Sequence, residues 1–156
     1  MTLKERLHQA TTDAMRSGAA LRRDTLRMVA SAIYNAEKRD RRTYTDDEVV
    51  AILVREVKTR RESVEAFRGG GREDLATKEE AEIAILGEFL PEPLGEAEVA
   101  ALVEEGIAAT GAAGPRDMGK VMGWLSPKTR GRADGKVVSG LVNARLAAIA
   151  GGGGTS

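Results

Sequence analysis

The sequence predicts an all-α protein. Apolar residues recur at i, i+3, i+4 and i+7 through successive segments. Aromatics supply only 3% of a chain that is 42% apolar, so the core is built from Leu, Val, Ile, Met and Ala. The remaining positions are rich in Glu, Lys and Arg, which favour helix, whereas a sheet core draws on aromatic and β-branched residues. At 156 residues the chain has room for one ordinary domain or two small ones.

The first helix is expected over residues 3–17. Thr2 is its N-cap, with Glu5 completing a capping box, and Leu3, Leu7, Ala10 and Ala14 form its apolar stripe. Gly18 suits the position just past its end. A second helix spans about residues 20–40, with Leu26, Val29, Ala30 and Ile33 inward, and ends in the basic cluster Lys38, Arg39, Arg41 and Arg42. Cations there suit the negative end of a helix dipole. Thr45 and Glu48 repeat the capping box and open a third helix that runs to about Arg68. Its stripe is Val49, Leu53, Val57, Val64 and Phe67. Glu56–Arg60, Lys58–Glu62 and Arg61–Glu65 are expected on its solvated face.

Gly69, Gly70 and Gly71 break that helix, and an acidic fourth helix is expected from Glu73 to Leu90. Pro91 and Pro93 stop it, because proline lacks a donor and restricts the residue before it. A domain boundary is placed there, giving an N-terminal helical domain over 1–90 and a three-helix domain over 95–150. In the second segment Val99, Leu102, Val103 and Ile107 mark a fifth helix. Pro115 opens a sixth that carries Met118, Val121, Met122 and Leu125. Pro127 and Gly131 are expected in a basic loop. Asp134 caps a seventh helix with Val138, Leu141, Val142, Leu146 and Ile149 inward. Residues 151–156 are expected to form a disordered tail.

Formal charge is zero, with 24 basic and 24 acidic residues. The distribution is uneven: residues 1–70 carry a net +4, residues 71–105 a net −9 and residues 106–156 a net +5. A basic C-terminal third permits an anionic partner. The chain has no cysteine, which excludes disulfides, thiolate metal sites and thiol nucleophiles. The one histidine, His8, is expected at the surface, and no metal or other cofactor is expected. No apolar run reaches the roughly 18–20 residues that span a bilayer. The N-terminus lacks the apolar stretch of a secretory signal, so a cytoplasmic protein without membrane contact is expected.

Residues 114–121 approach the phosphate-binding loop in the spacing of Gly114, Gly119 and Lys120. Val121 stands where a magnesium-binding hydroxyl belongs, and no strand precedes the segment. A helix contact permitted by glycine is the better reading. Residues 117–136 are more distinctive. Gly119 and Gly123 are spaced by four, a pattern that lets backbones approach closely. Lys120, Lys128, Arg130, Arg132 and Lys136 gather five cations near one loop and helix start, and Gly131 and Gly135 leave its backbone open to phosphate. RNA contact and a structural turn with solvated charges both fit this pattern.

The segment DMGKVMGWLSPKTRGRADGKVV (117–138) closely resembles the C-terminal signature of the GatB/YqeY family. LKERL (3–7), LRMVASAIYNAEK (26–38) and REDLATKEEAEIAILGEFLPEPL (72–94) fit the same family, in consistent order over about residues 1–148. The resemblance implies a multi-helical N-terminal domain and a three-helix domain similar to the tail of the B subunit of the tRNA-dependent glutamyl/aspartyl-tRNA amidotransferase. It carries with it a label of carbon–nitrogen ligase with glutamine as amido donor. The chain is too short for the catalytic body of that subunit, and no nucleophile constellation replaces it. The expected function is therefore a tRNA-binding accessory protein, with tRNA or an aminoacyl-tRNA amidotransferase complex as partner. The alternative is a helical protein–protein interaction module that touches no RNA.

Overall fold

The computed structural model describes residues 1–152. Among them it holds seven α-helices, one short 3-10 turn and no strand. The chain divides into two compact units, Met1–Leu90 and Pro91–Ser156.

The first unit contains α1 (Leu3–Ser17), α2 (Ala20–Asp40), α3 (Asp46–Gly69) and α4 (Glu73–Gly87). Both capping boxes form: the hydroxyls of Thr2 and Thr45 accept from the Glu5 and Glu48 backbone N–H groups, and each glutamate accepts in return from its cap residue. Gly18 ends α1 in the left-handed conformation, at φ 75°. The Leu3 N–H, at the start of α1, donates to Asp46 Oδ1 of α3 at 3.0 Å. Two helix N-termini therefore share one carboxylate, which faces the positive end of both dipoles. Glu37 of α2 makes a second tie, accepting from Lys4 Nζ at 2.9 Å and from the Tyr44 N–H at 2.7 Å. Leu7, Leu26, Val29, Ile33, Val49, Leu53 and Leu86 fill the core between the four helices.

Four expectations for this unit change. Ala30, expected inward, is exposed, because it lies at the edge of the arc that Leu26, Val29 and Ile33 define on α2. The fourth helix stops at Gly87, and Glu88 to Leu90 tighten into turns that bond three residues back. This packs Phe89, only 8% exposed, onto the core ahead of Pro91. Arg60 is not on the solvated face: it is 5% exposed. Its position, seven residues after Leu53 and four before Val64, continues the apolar stripe of α3. Its Nη1 donates to Glu56 Oε2 at 2.8 Å, and its Nε lies 3.3 Å from Glu82 Oε2 of α4 without a well-formed hydrogen bond. Neither Lys58–Glu62 nor Arg61–Glu65 closes into an ion pair among the described residues.

The second unit contains α5 (Glu96–Thr110), the 3-10 turn Pro115–Asp117, α6 (Met118–Thr129) and α7 (Gly135–Gly152). Val99, Val103, Ile107, Val121, Leu125, Val138, Val142 and Leu146 make its core. Asp134 caps α7, its Oδ1 accepting from the Lys136 N–H at 2.8 Å. Leu141, expected inward, is 38% exposed. At about 100° per residue it lies to one side of the arc defined by Val138, Val142 and Leu146. Pro127 lies inside α6 rather than in the loop. Its cost is a lost donor to the carbonyl of Gly123, four residues back, and Gly123 is exposed to solvent. The helix continues because the Arg130 N–H still donates to the Ser126 carbonyl at 3.0 Å. Of the tail expected over 151–156, Gly151 and Gly152 extend α7, and 153–156 lie outside the described residues.

Candidate nucleic-acid interface

The five cations singled out from the sequence do not share one loop. Lys120 and Lys128 stand on α6, Arg130 and Arg132 in the turn that follows it, and Lys136 in the first turn of α7. Lys120 is exposed, with its Nζ 3.8 Å from Asp117 Oδ1. Lys128 folds back over Trp124, its Nζ 3.9 Å from the ring centroid. Arg130 and Lys136 are exposed, and neither side chain has an ion-pair or hydrogen-bond partner among the described residues.

Arg132 is occupied. Its Nε donates to the Glu92 carbonyl at 2.9 Å, and its own carbonyl accepts from the Leu94 N–H at 2.8 Å. The turn that carries these groups is closed by the Thr129 carbonyl, which accepts from the Arg132 and Ala133 N–H groups at 2.8 and 3.0 Å. Gly131 makes that closure with φ 75°, a conformation that a side chain would strain.

The glycines act differently from their spacing. A Cβ added at Gly119, Gly123 or Gly135 would meet nothing within 4 Å, so none of them seats a neighbouring helix among the described residues. The close approach is at Gly106 of α5, where a Cβ would lie 2.9 Å from Trp124 Cε3. Sequence reasoning passed over this approach. The available signal was a glycine inside a run that otherwise reads as uninterrupted apolar helix.

The near match to a phosphate loop does not form a cradle. Asp117 Oδ2 accepts from the Ala113 N–H at 2.9 Å. That bond first, and Lys120 less, hold its carboxyl below the usual carboxylate range. A permanent anion thus takes an amide that a phosphate would need. His8 is exposed, on α1. Among the described residues no group of three or more His, Asp or Glu side chains is placed to hold a metal ion. No helix there is long and apolar enough to cross a membrane.

In sequence, the chain is 33% identical over 137 residues to a protein of Pyrenophora tritici-repentis named "Altered inheritance of mitochondria protein 41, mitochondrial". That match covers 86% of this chain and 75% of the relative. It is 39% identical over 80 residues to an uncharacterized protein of Schizosaccharomyces pombe, covering 51% of this chain and 65% of the relative. The family model described as Yqey-like protein matches residues 4–146, nearly the full length of both units. The chain belongs to the YqeY-like family.

Proposed function

We propose that the chain is an accessory module that contacts tRNA through phosphate, alone or beside an aminoacyl-tRNA amidotransferase, and performs no amide transfer of its own. The observation that carries this reading is the pair Arg130 and Lys136, exposed and unpaired at the two sides of the α6–α7 turn. They lie in a segment of net charge +5. Residues 117–138 resemble the C-terminal signature of the family, and the similarity expected between that domain and the amidotransferase tail is the reason for taking tRNA as the anion. Contacts of this kind position an RNA without reading its sequence.

The test is binding of the full chain to bulk tRNA at two salt concentrations. Affinity is expected to fall as salt rises, and Arg130→Ala with Lys136→Ala to weaken binding. The slope of log affinity against log salt becomes shallower by about 0.7–0.9 for each phosphate that no longer meets a cation. Equal affinity of parent and double variant overturns the reading. Incubation with glutamine, ATP and mischarged tRNA is expected to give no amidated product.

A second reading, a protein-docking module without RNA contact, draws on the groove between α1 and α2. The groove measures about 570 Å³ and is flanked by Met1, 83% exposed, and Tyr34, 64% exposed. Retention of a protein partner by the parent, abolished by Tyr34→Glu while tRNA binding is absent throughout, selects this reading instead.

A further inference from the structure

Trp124 is the only tryptophan of the chain. It stands on α6 midway between Lys120 and Lys128, four residues from each. Spacing of four puts all three on one face of the helix, in a cation–aromatic–cation row about 12 Å long. The ring is anchored at one edge, where Cε3 and Cζ3 lie against Gly106 of α5. The Lys128 ammonium lies over the ring, 3.9 Å from the centroid. The Lys128 Nζ also reaches the Trp124 carbonyl, at a long 3.4 Å. The indole N–H donates to no group among the described residues, and it is not buried away from water. Trp124 thus has a fixed edge, a free donor that solvent reaches, and a face covered by one flexible side chain.

We infer that Trp124 is a stacking platform for a single unpaired nucleobase, with Lys128 moving from the ring face onto the adjoining phosphate as the base lands. The inference rests on the tRNA reading above and specifies its chemistry. Base–aromatic stacking is stronger than an exposed cation–π contact, so the base displaces the ammonium. The displaced cation finds a new partner: a phosphate lies beside every base, and Lys128 and Lys120 bracket the ring on the side where the strand must enter and leave. The packed edge at Gly106 keeps the indole from swinging away, which a stacking surface requires. Any base has a π-face, so the site selects for an unpaired nucleotide rather than for a particular sequence. Helical duplex, whose bases are already stacked, is excluded.

The experiment titrates the full chain with two fluorescently labelled ten-nucleotide ligands, a single-stranded RNA and a phosphodiester of the same length without bases. Anisotropy of the label reads binding, and tryptophan emission reads stacking at Trp124 alone. The RNA is expected to bind more tightly and to quench the emission, and the base-less ligand to bind through its phosphates without quenching. Trp124→Ala should weaken RNA binding by roughly tenfold and leave the base-less ligand unchanged, with Trp124→Phe retaining most of the affinity. The quenching measurement needs no variant, so it stands even where Trp124→Ala disturbs the packing on Gly106. RNA binding without quenching, or equal quenching by the base-less ligand, overturns the platform and leaves the phosphate reading intact. Binding of neither ligand overturns both.

Discussion

Arg132 and Glu92 join the turn between α6 and α7 to the segment that enters the second unit. The Arg132 Nε donates to the Glu92 carbonyl, and two residues on the Leu94 N–H donates back to the Arg132 carbonyl. Pro91 and Pro93 have no N–H to offer, so this two-bond clasp, together with Leu94 packed on the core, holds the proline-rich entry segment. Arg132→Ala is expected to destabilise the protein by about 0.5–1.5 kcal/mol, the worth of one partly exposed hydrogen bond. Arg130→Ala, which breaks no contact among the described residues, should leave the urea midpoint unchanged. Urea denaturation of the two variants checks the difference.

Arg60 sits between α3 and α4 with Glu56 and Glu82 around it. Arg60→Met leaves the Glu82 carboxylate, whose side chain is 9% exposed, with no cation beside it. The expected loss is about 3–5 kcal/mol. Adding Glu82→Gln to Arg60→Met should recover most of it, because the stranded charge is then gone. Equal stability of the single and double variants in urea would show that the pair carries no coupling.

Glu48 has its carboxyl drawn from 4.5 down to about 2, first by the Arg42 guanidinium and then by the Thr45 N–H. A carboxylate depressed on folding contributes stability that is complete above its ordinary pKa and lost as pH falls through the folded value. The α3 N-terminus is therefore expected to weaken between about pH 4.5 and 2. Glu48→Gln should remove that part of the acid dependence in thermal melts taken across this range.

Glu79 moves the other way. Burial first, and then the neighbouring Glu82, raise its carboxyl above the ordinary value. The folded state then binds this proton more tightly than the unfolded chain, so ionised Glu79 opposes folding at neutral pH and the penalty fades as pH falls. Glu79→Gln is expected to raise the melting temperature at pH 7 and to have no effect below the ordinary carboxylate range. A lower melting temperature at pH 7 contradicts this.

Gly106→Ala would set a methyl 2.9 Å from Trp124 Cε3. Overpacking of that kind costs about 1–3 kcal/mol, and here it also shifts the indole. A change in tryptophan emission together with a lower midpoint in urea is the expected result. Gly119→Ala, on an open face of α6, should do neither and serves as the comparison.

The helix starts were legible because their chemistry is local. Thr2 with Glu5 and Thr45 with Glu48 each announce an N-terminus within four residues, and the structure places both there. The apolar stripe of α1, and that of α2 at Leu26, Val29 and Ile33, were readable for the same reason, while Ala30 proved exposed. What escaped was set by neighbours far along the chain. Arg60 reads as a surface charge until α4 brings Glu82 to it. Arg132 reads as a free loop cation until the chain 40 residues earlier is laid beside it. Gly119 and Gly123 carry the spacing of a helix contact, yet the close approach is made by Gly106, because a glycine's partner is chosen by the side chain opposite it.

The Leu3–Asp46 bond also bears on how the first unit assembles. It links groups 43 positions apart, whereas α3 and α4 are consecutive helices joined at Gly70–Arg72. Closing a short loop costs less chain entropy than closing a long one. The α1–α2 and α3–α4 hairpins, each closed by a short link, are thus expected to form before the Leu3–Asp46 bond that ties one to the other. Weakening that late bond, as in Asp46→Ala, belongs to the unfolding arm of the kinetics: the protein would come apart faster while refolding at its former speed.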